Sequence, residues 1–288
     1  MTNQNQFNKV QEKLMELLVF DLDGTLLGTD SRISKFTGDT LSMLRERGIR
    51  YTAATGRTLH AADSVLNGHY FNEPIILKNG VLTYDPINRC YIETHLLEFS
   101  DINPFNTMLI EHGITPFVFT IDINHNHAIY HRNRLSNSER KVLQLFGRET
   151  HVPTKPLEEI PVDIKISNVS AIGPADVINK ICNSINSSTD LVAYSGKAIE
   201  DSNINWMDIH HAAGSKSRAV KVVKEQLGID KIICFGDSDN DLSLFLESDE
   251  AYAPENAKQA IKDIATAVIS HHQEDGVARF LRSRFELL

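Results

Sequence analysis

The sequence predicts an α/β protein with helices on both sides of a parallel sheet and a second, inserted α+β domain. Three observations support this fold class. Short apolar strands alternate with helical segments at both ends of the chain, polar or glycine-containing turns follow these strands, and the middle of the chain has the alternating strands of an antiparallel sheet. The predicted architecture is a doubly wound, Rossmann-like parallel-sheet core interrupted by a cap domain.

Apolar runs and helical spacing define the elements of the core. The first strand ends at Asp21, and the helix after it carries Leu41 and Leu44 on one face before Gly48 stops it. Strand and helix alternate again after the insertion. The predicted core elements are strands at 17–20, 49–54, 75–78 and 232–235 and helices at 37–47 and 216–227.

The pattern changes after Tyr84. Ser136 and Glu139 have the spacing of a capping box that opens a helix, and Gly147 is expected to close this helix. The other predicted elements of this block are helices at 100–113 and 177–185, a hairpin at 115–122 and 127–131, and strands at 162–167, 191–194 and 204–209. The predicted division is a polar tail at 1–13, a core formed by 14–83 and 210–288, and a cap at 84–209.

Composition excludes several classes of partner. The 288 residues carry a net charge of −9 and no long basic run, which disfavours nucleic acid and membrane surfaces, and the apolar runs are too short to cross a bilayer. Residues 1–11 lack the apolar segment of a secretion signal, so a cytoplasmic location is expected. The protein is expected to be a monomer or a homodimer. Cys90, Cys182 and Cys234 are widely spaced, which favours reduced thiols.

Two carboxylates lie at the end of the first strand. Asp21 and Asp23 are separated by one residue, and the turn at Gly24 lets the second carboxylate fold back over the first. Because close carboxylates repel as anions, one stays charged while the other holds a proton more readily, which suits a nucleophile and a general acid. Asp21 can attack phosphorus in line to form an aspartyl-phosphate, and Asp23 can protonate the leaving alkoxide and later deprotonate water.

The candidate site carries an excess of negative charge. Asp21, Asp23, Asp237 and Asp241 are opposed by Lys216. Charges about 4 Å apart repel by roughly 4 kcal/mol at an effective dielectric constant near 20, so the site needs a further cation before it can bind phosphate. Oxygen ligands with some retained water favour Mg²⁺ as that cation.

Further polar residues are candidates for binding the phosphate. Thr55 and the main-chain N–H of Gly56 offer hydrogen-bond donors at a strand end. Lys216 begins a helix, where its ammonium can lie between the nucleophile and a phosphate oxygen. Arg57 either contacts the substrate or pairs with an acid and supports the loop, and the sequence leaves both roles open.

The candidate residues form four motifs in a fixed order, and this order resembles the haloacid dehalogenase (HAD) superfamily. The motifs are Asp21-Leu22-Asp23-Gly24-Thr25, Thr55-Gly56-Arg57, Lys216 and Gly236-Asp237-Ser238-Asp239-Asn240-Asp241. The insertion between the second and third motifs, preceded by Asn79-Gly80, is similar to the class IIB α/β cap of Cof-type phosphatases. The resemblance implies that Asp21, Asp23 and Asp237 bind Mg²⁺, with Asp23 using its main-chain carbonyl and Asp241 supporting. It also implies that Asn240 holds phosphate or orders its loop, and that Asn79 supports the site.

The sequence therefore predicts a Mg²⁺-dependent phosphatase acting on a small phosphorylated metabolite. A sugar phosphate is the first expectation, and flavin mononucleotide, pyridoxal phosphate or a nucleotide are others. Two alternatives remain open. A phosphomutase or phosphotransferase would use the same intermediate, and a receiver-like signalling module would also place a phospho-accepting Asp, a Thr and a Lys around Mg²⁺, although receivers lack the second acid and the cap.

The predicted cap is expected to determine substrate choice, because it closes over the site and contacts the leaving group. Trp206 and Asp208 point to the same side of the last cap strand, where they can contact a sugar or aromatic leaving group, although core packing is the expected role of Trp206. His125, His127 and His131 are a weaker candidate for a zinc site, since no further ligand has matching spacing.

Overall fold

The computed structural model describes residues 14–150, 152–188, 190–198 and 203–287, so the predicted tail at 1–13 lies outside the described residues. The strands, numbered along the chain, are β1 (Glu16–Phe20), β2 (Arg50–Ala53), β3 (Ile75–Leu77), β4 (Leu82–Asp85), β5 (Cys90–Thr94), β6 (Phe117–Ile121), β7 (His127–His131), β8 (Thr154–Pro156), β9 (Lys165–Pro174), β10 (Leu191–Lys197), β11 (Ile204–His211), β12 (Lys231–Phe235), β13 (Glu250–Pro254) and β14 (Ala267–Ile269).

The helices connect these strands. They are α1 (Lys35–Glu46), α2 (Leu59–Leu66), α3 (Phe99–Glu111), α4 (Asn137–Thr150), α5 (Ala175–Ser188), α6 (Lys216–Leu227), α7 (Leu242–Glu247), α8 (Gln259–Lys262) and α9 (Gly276–Arg284). Across the described ranges, no helix combines the length and the apolar character that a membrane crossing would require.

The core sheet is parallel and has the order β14-β13-β12-β1-β2. A parallel bridge between Ala54 and Ile76 places β3 beside the end of β2, and β4 and β5 extend from β3 as an antiparallel ribbon. Strand β1 is therefore central, with β12 on one side and β2 on the other. The ends of these three neighbouring strands lie at one edge of the sheet, where ligands bind in doubly wound folds.

Alternate side chains of β1 enter two different hydrophobic clusters. Leu18 and Phe20 are buried with residues of α1 and α9, whereas Leu17 and Val19 are buried with residues of α6 and α7. A strand that is apolar on both faces is typical of a parallel sheet covered by helices on both sides. The packing confirms the predicted doubly wound core.

The middle of the chain forms a second sheet with the order β10-β11-β9-β6-β7-β8, antiparallel except for the β7–β8 pair. Helices α3 and α5 cover one face, where their side chains are buried with those of Val169, Met207 and Ile209. On the other face, α4 packs over β6 and β7, and Phe146 contacts Phe117 and Phe119.

The ribbon of β4 and β5 belongs to the core by its contacts, because Tyr84 and Tyr91 pack against the core cluster. Tyr91 also reaches the cap, with its hydroxyl 2.9 Å from His127 Nε2. The predicted domain limits at 83/84 and 209/210 fall inside β4 and β11, and the division itself stays a prediction.

The helices and strands predicted for the cap were confirmed, except at the end of α4 and at the start of β9. The capping box forms, with the Ser136 N–H donating to Glu139 at 2.6 Å and the Glu139 N–H donating to Ser136 at 3.3 Å. The helix continues past Gly147 to Thr150, since a glycine within a helix is only a weak stop signal. Val162 is not in a strand; it is 87% exposed in a turn after Pro161, and β9 begins at Lys165. The three cysteines are free thiols, as predicted.

Candidate active site

The ends of three neighbouring parallel strands bring the predicted motif residues together. Asp21 follows β1, Asp237 lies two residues beyond β12, and Thr55 lies two residues beyond β2. The Asp21 N–H donates to the Phe235 carbonyl at 2.9 Å, which fixes the first carboxylate at the sheet edge. The chain then turns at Gly24, which has a φ of +75°. A Cβ atom at Gly24 would lie 2.6 Å from Asp237 Oδ2, so glycine allows this close approach.

Lys216 lies at the centre of the site and its side chain is fully buried. Its Nζ lies 2.6 Å from Asp21 Oδ1 and 2.7 Å from Asp241 Oδ1. Burial acts to lower the pKa of Lys216, but the two carboxylates raise it above its ordinary value. The ammonium therefore stays charged, and it holds the carboxylates of Asp21 and Asp241 in place.

Asp21, Asp237 and Asp241 form the cluster best suited to a metal ion among the described residues. One carboxylate oxygen from each lies within 4.8 Å of the others. Asp241 already accepts hydrogen bonds at both oxygens, from Lys216 at one and from the N–H groups of Asp237 and Ser238 at the other, at 3.0 and 3.1 Å. Asp21 Oδ2 and the Asp237 carboxylate are therefore the groups of this cluster that are available to a metal ion, whereas Asp241 is engaged by Lys216 and by its own loop.

The charge of this cluster favours a cation. Burial and, after it, the charge of the neighbouring Asp241 raise the pKa of Asp237 to about 6. Burial also raises the pKa of Asp21 well above its ordinary value, against the lowering effect of Lys216. One ammonium does not balance three carboxylates, so a hard divalent cation with oxygen ligands fits this donor set.

Asp23 is part of the site but its carboxylate is outside this cluster. It makes a bidentate ion pair with Arg57, with distances of 2.6 and 2.8 Å to the guanidinium nitrogens. The sequence left two roles open for Arg57, and in the structure Arg57 pairs with an acid. A metal-ligand role for Asp23 through its main-chain carbonyl stays a prediction.

The candidate phosphate-binding residues line a common loop surface. The Arg57 N–H donates to Thr55 Oγ1 at 3.2 Å, and the Asn79 N–H donates to the Thr55 carbonyl at 2.9 Å. Asn240 Nδ2 donates to Asn79 Oδ1 at 2.9 Å, and this connects the second and fourth motifs. Asn79 therefore contacts residues of both motifs, and its supporting role stays a prediction.

A cavity of about 250 Å³ opens above these residues. The core residues that line the cavity include Asp21, Asp23, Thr55, Gly56, Arg57 and Asn240. Phe119 and Phe146 of the cap also line it. Lys78 also lines it, with Nζ 4.0 Å from the centre of the Phe119 ring. Sequence reasoning missed Lys78, Phe119 and Phe146. The position of Lys78 directly before Asn79-Gly80 was an available signal, whereas the phenylalanines are indistinguishable from core residues by pattern.

Two predictions for the cap have different outcomes. Trp206 was expected in the core, but it is 44% exposed because it lies on the face of β11 opposite α5. His127 contacts Tyr91, and His131 Nδ1 lies 2.8 Å from the Arg132 carbonyl. Within the described ranges, the histidine hairpin does not form a group of three metal ligands.

Gly80 lies against the backbone at the start of α6, directly before Lys216. Its φ is +101°, and a Cβ atom there would overlap the main-chain carbonyl of Ser215, the residue that caps α6. We expect Gly80→Ala to lower the free energy of unfolding by about 3 kcal/mol or more, through strain and steric overlap together. Chemical denaturation measures this change.

The matched control is Gly68→Ala. Gly68 has a φ of +84° but no atom within 4 Å of an added Cβ, so only backbone strain of about 1 kcal/mol is expected. Equal losses for the two variants would show that the contact with Ser215 does not constrain α6.

The chain is similar to known phosphatases over nearly its whole length. Residues 18–281 match a family model described as haloacid dehalogenase-like hydrolase. The chain is 24% identical over 280 residues to the pyridoxal phosphate phosphatase YbhA of Escherichia coli (strain K12), covering 93% of this chain and 97% of YbhA. It is also 24% identical over 287 residues to the 5-amino-6-(5-phospho-D-ribitylamino)uracil phosphatase YitU of Bacillus subtilis (strain 168), covering 94% and 98%.

A solved structure has the same fold. The HAD subclass IIB sugar phosphatase BT4131 matches with a TM-score of 0.74 and 20% identity, covering 95% of this chain and 100% of that chain. This likeness confirms the predicted fold class, a parallel-sheet core with an inserted cap.

Proposed function

Because the chain belongs to the haloacid dehalogenase-like hydrolases and is a Cof-type phosphoric monoester hydrolase, we propose that it hydrolyses a small phosphorylated metabolite through an aspartyl-phosphate on Asp21. The observation that carries this proposal is the buried Lys216 ammonium, 2.6 Å from Asp21 and 2.7 Å from Asp241, beside a cavity of about 250 Å³. The ion pair holds a charged carboxylate at the cavity floor, as nucleophilic attack requires.

The proposed reaction has two displacements. In the first, an Asp21 carboxylate oxygen attacks phosphorus, the bond from phosphorus to the ester oxygen breaks, and Asp23 gives its proton to the leaving oxygen. In the second, Asp23 takes a proton from water, the water oxygen attacks phosphorus, and Asp21 and inorganic phosphate are released. The bidentate contact with Arg57 orients Asp23 and favours its charged form, which the second step uses. The proton that Asp23 takes from water in the second step is the one that it gives to the leaving oxygen in the next turnover.

Mg²⁺ is the proposed cofactor. Asp21 and Asp237 would hold it by their carboxylates and Asp23 by its main-chain carbonyl, and the bound ion supplies positive charge opposite the phosphate oxygens. Thr55 Oγ1, the Gly56 N–H and Asn240 would hold the phosphate beside Lys216. The donor set supports the two carboxylate ligands, since the fully bonded Asp241 is left to support the loop. The carbonyl of Asp23 is the ligand that the family resemblance implies.

Sugar phosphates are the first substrates proposed, with flavin mononucleotide, pyridoxal phosphate and nucleotides as the next candidates. The names of the relatives support this range, because YbhA is named for pyridoxal phosphate, YitU for a phosphoribityl compound and BT4131 for sugar phosphates. We propose a cytoplasmic enzyme that acts as a monomer or homodimer.

The test is release of inorganic phosphate from a panel of these phosphomonoesters. We expect release from at least one sugar phosphate with Mg²⁺ present, and a loss of about 100-fold or more after removal of the metal with EDTA. A mutase would release little phosphate while isomerising a sugar phosphate, and a receiver-like module would keep labelled phosphate on the protein for minutes. Either result would contradict the proposed hydrolysis.

A further inference from the structure

The connections after β13 and β14 reach the catalytic edge of the core sheet. Both strands run parallel to β12, so their carboxyl ends lie at the same edge as the motif residues. Asn256 lies two residues beyond β13, and His272 lies three residues beyond β14. Both residues are half-buried, and neither belongs to the four sequence motifs.

These two side chains hold the turn that carries Asp23. Asn256 Nδ2 donates to the Gly24 carbonyl at 2.8 Å, and His272 Nδ1 lies 2.8 Å from the Leu27 carbonyl. Because a carbonyl oxygen only accepts hydrogen bonds, His272 Nδ1 is the donor of this bond. The two residues are also joined to each other, since the His272 N–H donates to Asn256 Oδ1 at 3.2 Å. We call this pair the clamp.

The clamp fixes peptide groups that the turn's own closing bond does not orient. The Leu27 N–H donates to the Leu22 carbonyl at 2.9 Å and closes the turn. Inside the turn, Gly24 has a φ of 75° and a ψ of 0°, outside the helical range. The carbonyl groups of Gly24 and Leu27 are bonded separately, by Asn256 and His272. The peptide plane that directly follows Asp23 therefore depends on the clamp for its orientation.

The connection after β13 also contacts the loop that carries Asp237. The Lys258 N–H donates to the Asp237 carbonyl at 2.9 Å. Gly24 lies so close to Asp237 that an added Cβ would be 2.6 Å from Oδ2. The same short segment, which includes Asn256, thus holds two catalytic loops at a fixed distance from each other.

The position of Asp23 depends on such contacts because packing does not fix it. The Asp23 side chain is 57% exposed. Arg57 holds its carboxylate from one side, and the clamp holds the backbone after it from the other. The nucleophile is held differently, because Asp21 is bonded through its N–H to the Phe235 carbonyl and through its carboxylate to Lys216.

We propose that Asn256 and His272 are positioning residues of the reaction: by holding the carbonyl groups of Gly24 and Leu27, they keep Asp23 where it can protonate the leaving oxygen. This inference rests on the proposed phosphatase function and adds two residues to it. A general acid must lie within hydrogen-bond reach of the atom that it protonates, and a displacement of about 1 Å can cost about 100-fold in rate. Loss of a clamp bond therefore impairs proton transfer from Asp23 and leaves Asp21 in place.

This division of roles predicts a dependence on the leaving group. The alkoxide that leaves a sugar phosphate is a strong base and needs a proton as it departs. The leaving group of p-nitrophenyl phosphate is a stable phenolate, which departs without one. A general loss of folded enzyme would lower both rates equally, whereas a displaced acid lowers only the first.

The first test compares Asn256→Ala with the matched control Gln259→Ala, which removes an exposed amide side chain on α8 that contacts Asp263. The substrates are the best sugar phosphate of the panel and p-nitrophenyl phosphate, and kcat/KM reports the first displacement. We expect Asn256→Ala to lower kcat/KM by about 10- to 100-fold for the sugar phosphate and by less than about threefold for p-nitrophenyl phosphate. The control should match the wild type on both. Equal losses on the two substrates, or no loss on either, would overturn the inference.

His272 allows rescue by a conservative variant. Asparagine carries its amide nitrogen on Cγ, as histidine carries Nδ1, so His272→Asn keeps a donor at the same place along the side chain. We expect His272→Asn to stay within about threefold of the wild type on both substrates, and His272→Ala to lose rate selectively on the sugar phosphate. Equal rates for these two variants would show that the bond to Leu27 does not position Asp23.

A readout without turnover separates this inference from the proposed function. Amide hydrogen exchange of the full-length protein, followed by mass spectrometry, is expected to become faster at residues 22–27 in Asn256→Ala and His272→Ala, while α5 of the cap keeps its wild-type protection. If the wild type releases no phosphate but exchange rises at the turn, the proposed reaction fails and the clamp stands. If phosphate is released and exchange at the turn is unchanged, the clamp fails alone.

Discussion

Asp21→Asn is expected to reduce phosphate release by about 10⁴-fold or more. Losses of this size are seen when the nucleophile is removed from a set of catalytic residues that act as a unit. An amide oxygen is a poor nucleophile and cannot form the acyl phosphate that the two-step reaction needs. The substitution preserves side-chain shape, and Lys216 keeps its contact with Asp241 at 2.7 Å. Steady-state release of inorganic phosphate from the best substrate of the panel measures the effect.

The control for this variant is Asp39→Asn, which removes an exposed carboxylate paired with Lys35 on the surface of α1. We expect this change to leave the rate unaltered. A thermal melt should show that Asp21→Asn is folded, so that a loss of rate reports on chemistry. A variant rate within about tenfold of the wild type would mean that another group attacks phosphorus.

Lys216→Met is expected to lower the free energy of unfolding by about 3–5 kcal/mol, because it leaves buried carboxylates without their cation. The side chain is fully buried and contacts Asp21 and Asp241. Urea denaturation of the metal-free protein measures the loss. Because the variant also removes the positive charge next to the nucleophile, phosphate release should disappear with it.

The decrease in the free energy of unfolding caused by Lys216→Met should depend on pH. Burial already raises the pKa of Asp21 in the folded protein above its ordinary value. A carboxyl with a raised pKa in the folded state binds more protons there than in the unfolded chain, so its contribution to stability falls as pH rises. Without Lys216 the charged form of Asp21 is destabilised further in the folded protein. Lys216→Met should therefore lower the free energy of unfolding by more at pH 8 than at pH 5.

The control for this second variant is Lys224→Met on the same helix. Lys224 makes a 3.3 Å pair with Asp249 and is about one-third exposed, so its removal should cost less than about 1 kcal/mol. Similar losses for Lys216→Met and Lys224→Met would show that the buried pair does not hold the site together.

The sequence was sufficient for the core and for most of the site, for a physical reason. Asp21, Thr55 and Asp237 each follow an apolar strand, and parallel strands bring such positions to one edge without further information. The carboxylate excess around Lys216 was visible as a count of charges. The contact between Asp23 and Arg57 was one of two possible roles, and only the folded loops distinguish them.

The cap was harder to predict because its side-chain contacts depend on the register between distant strands. Asp208 meets Ser170 and Tyr194 only through antiparallel pairing, and a shift of one residue would turn each of them to the opposite face. Trp206 looked like a core residue because aromatic residues in strands usually are, but its strand has only one covered face. The apolar spacing at Val162 resembled a strand, although Pro161 and a turn precede the paired residues.

The order of pairing in the core sheet has a consequence for synthesis. Strand β1 pairs with β12, and Lys216 lies 195 residues after the carboxylate that it neutralises. A nascent chain can therefore complete the cap sheet, whose strands follow one another along the chain, while β1 has β2 beside it but still lacks β12. The acidic pocket is assembled only after Lys216, Asp237 and Asp241 have left the ribosome, so translation products that end before Asp237 should have no hydrolytic centre.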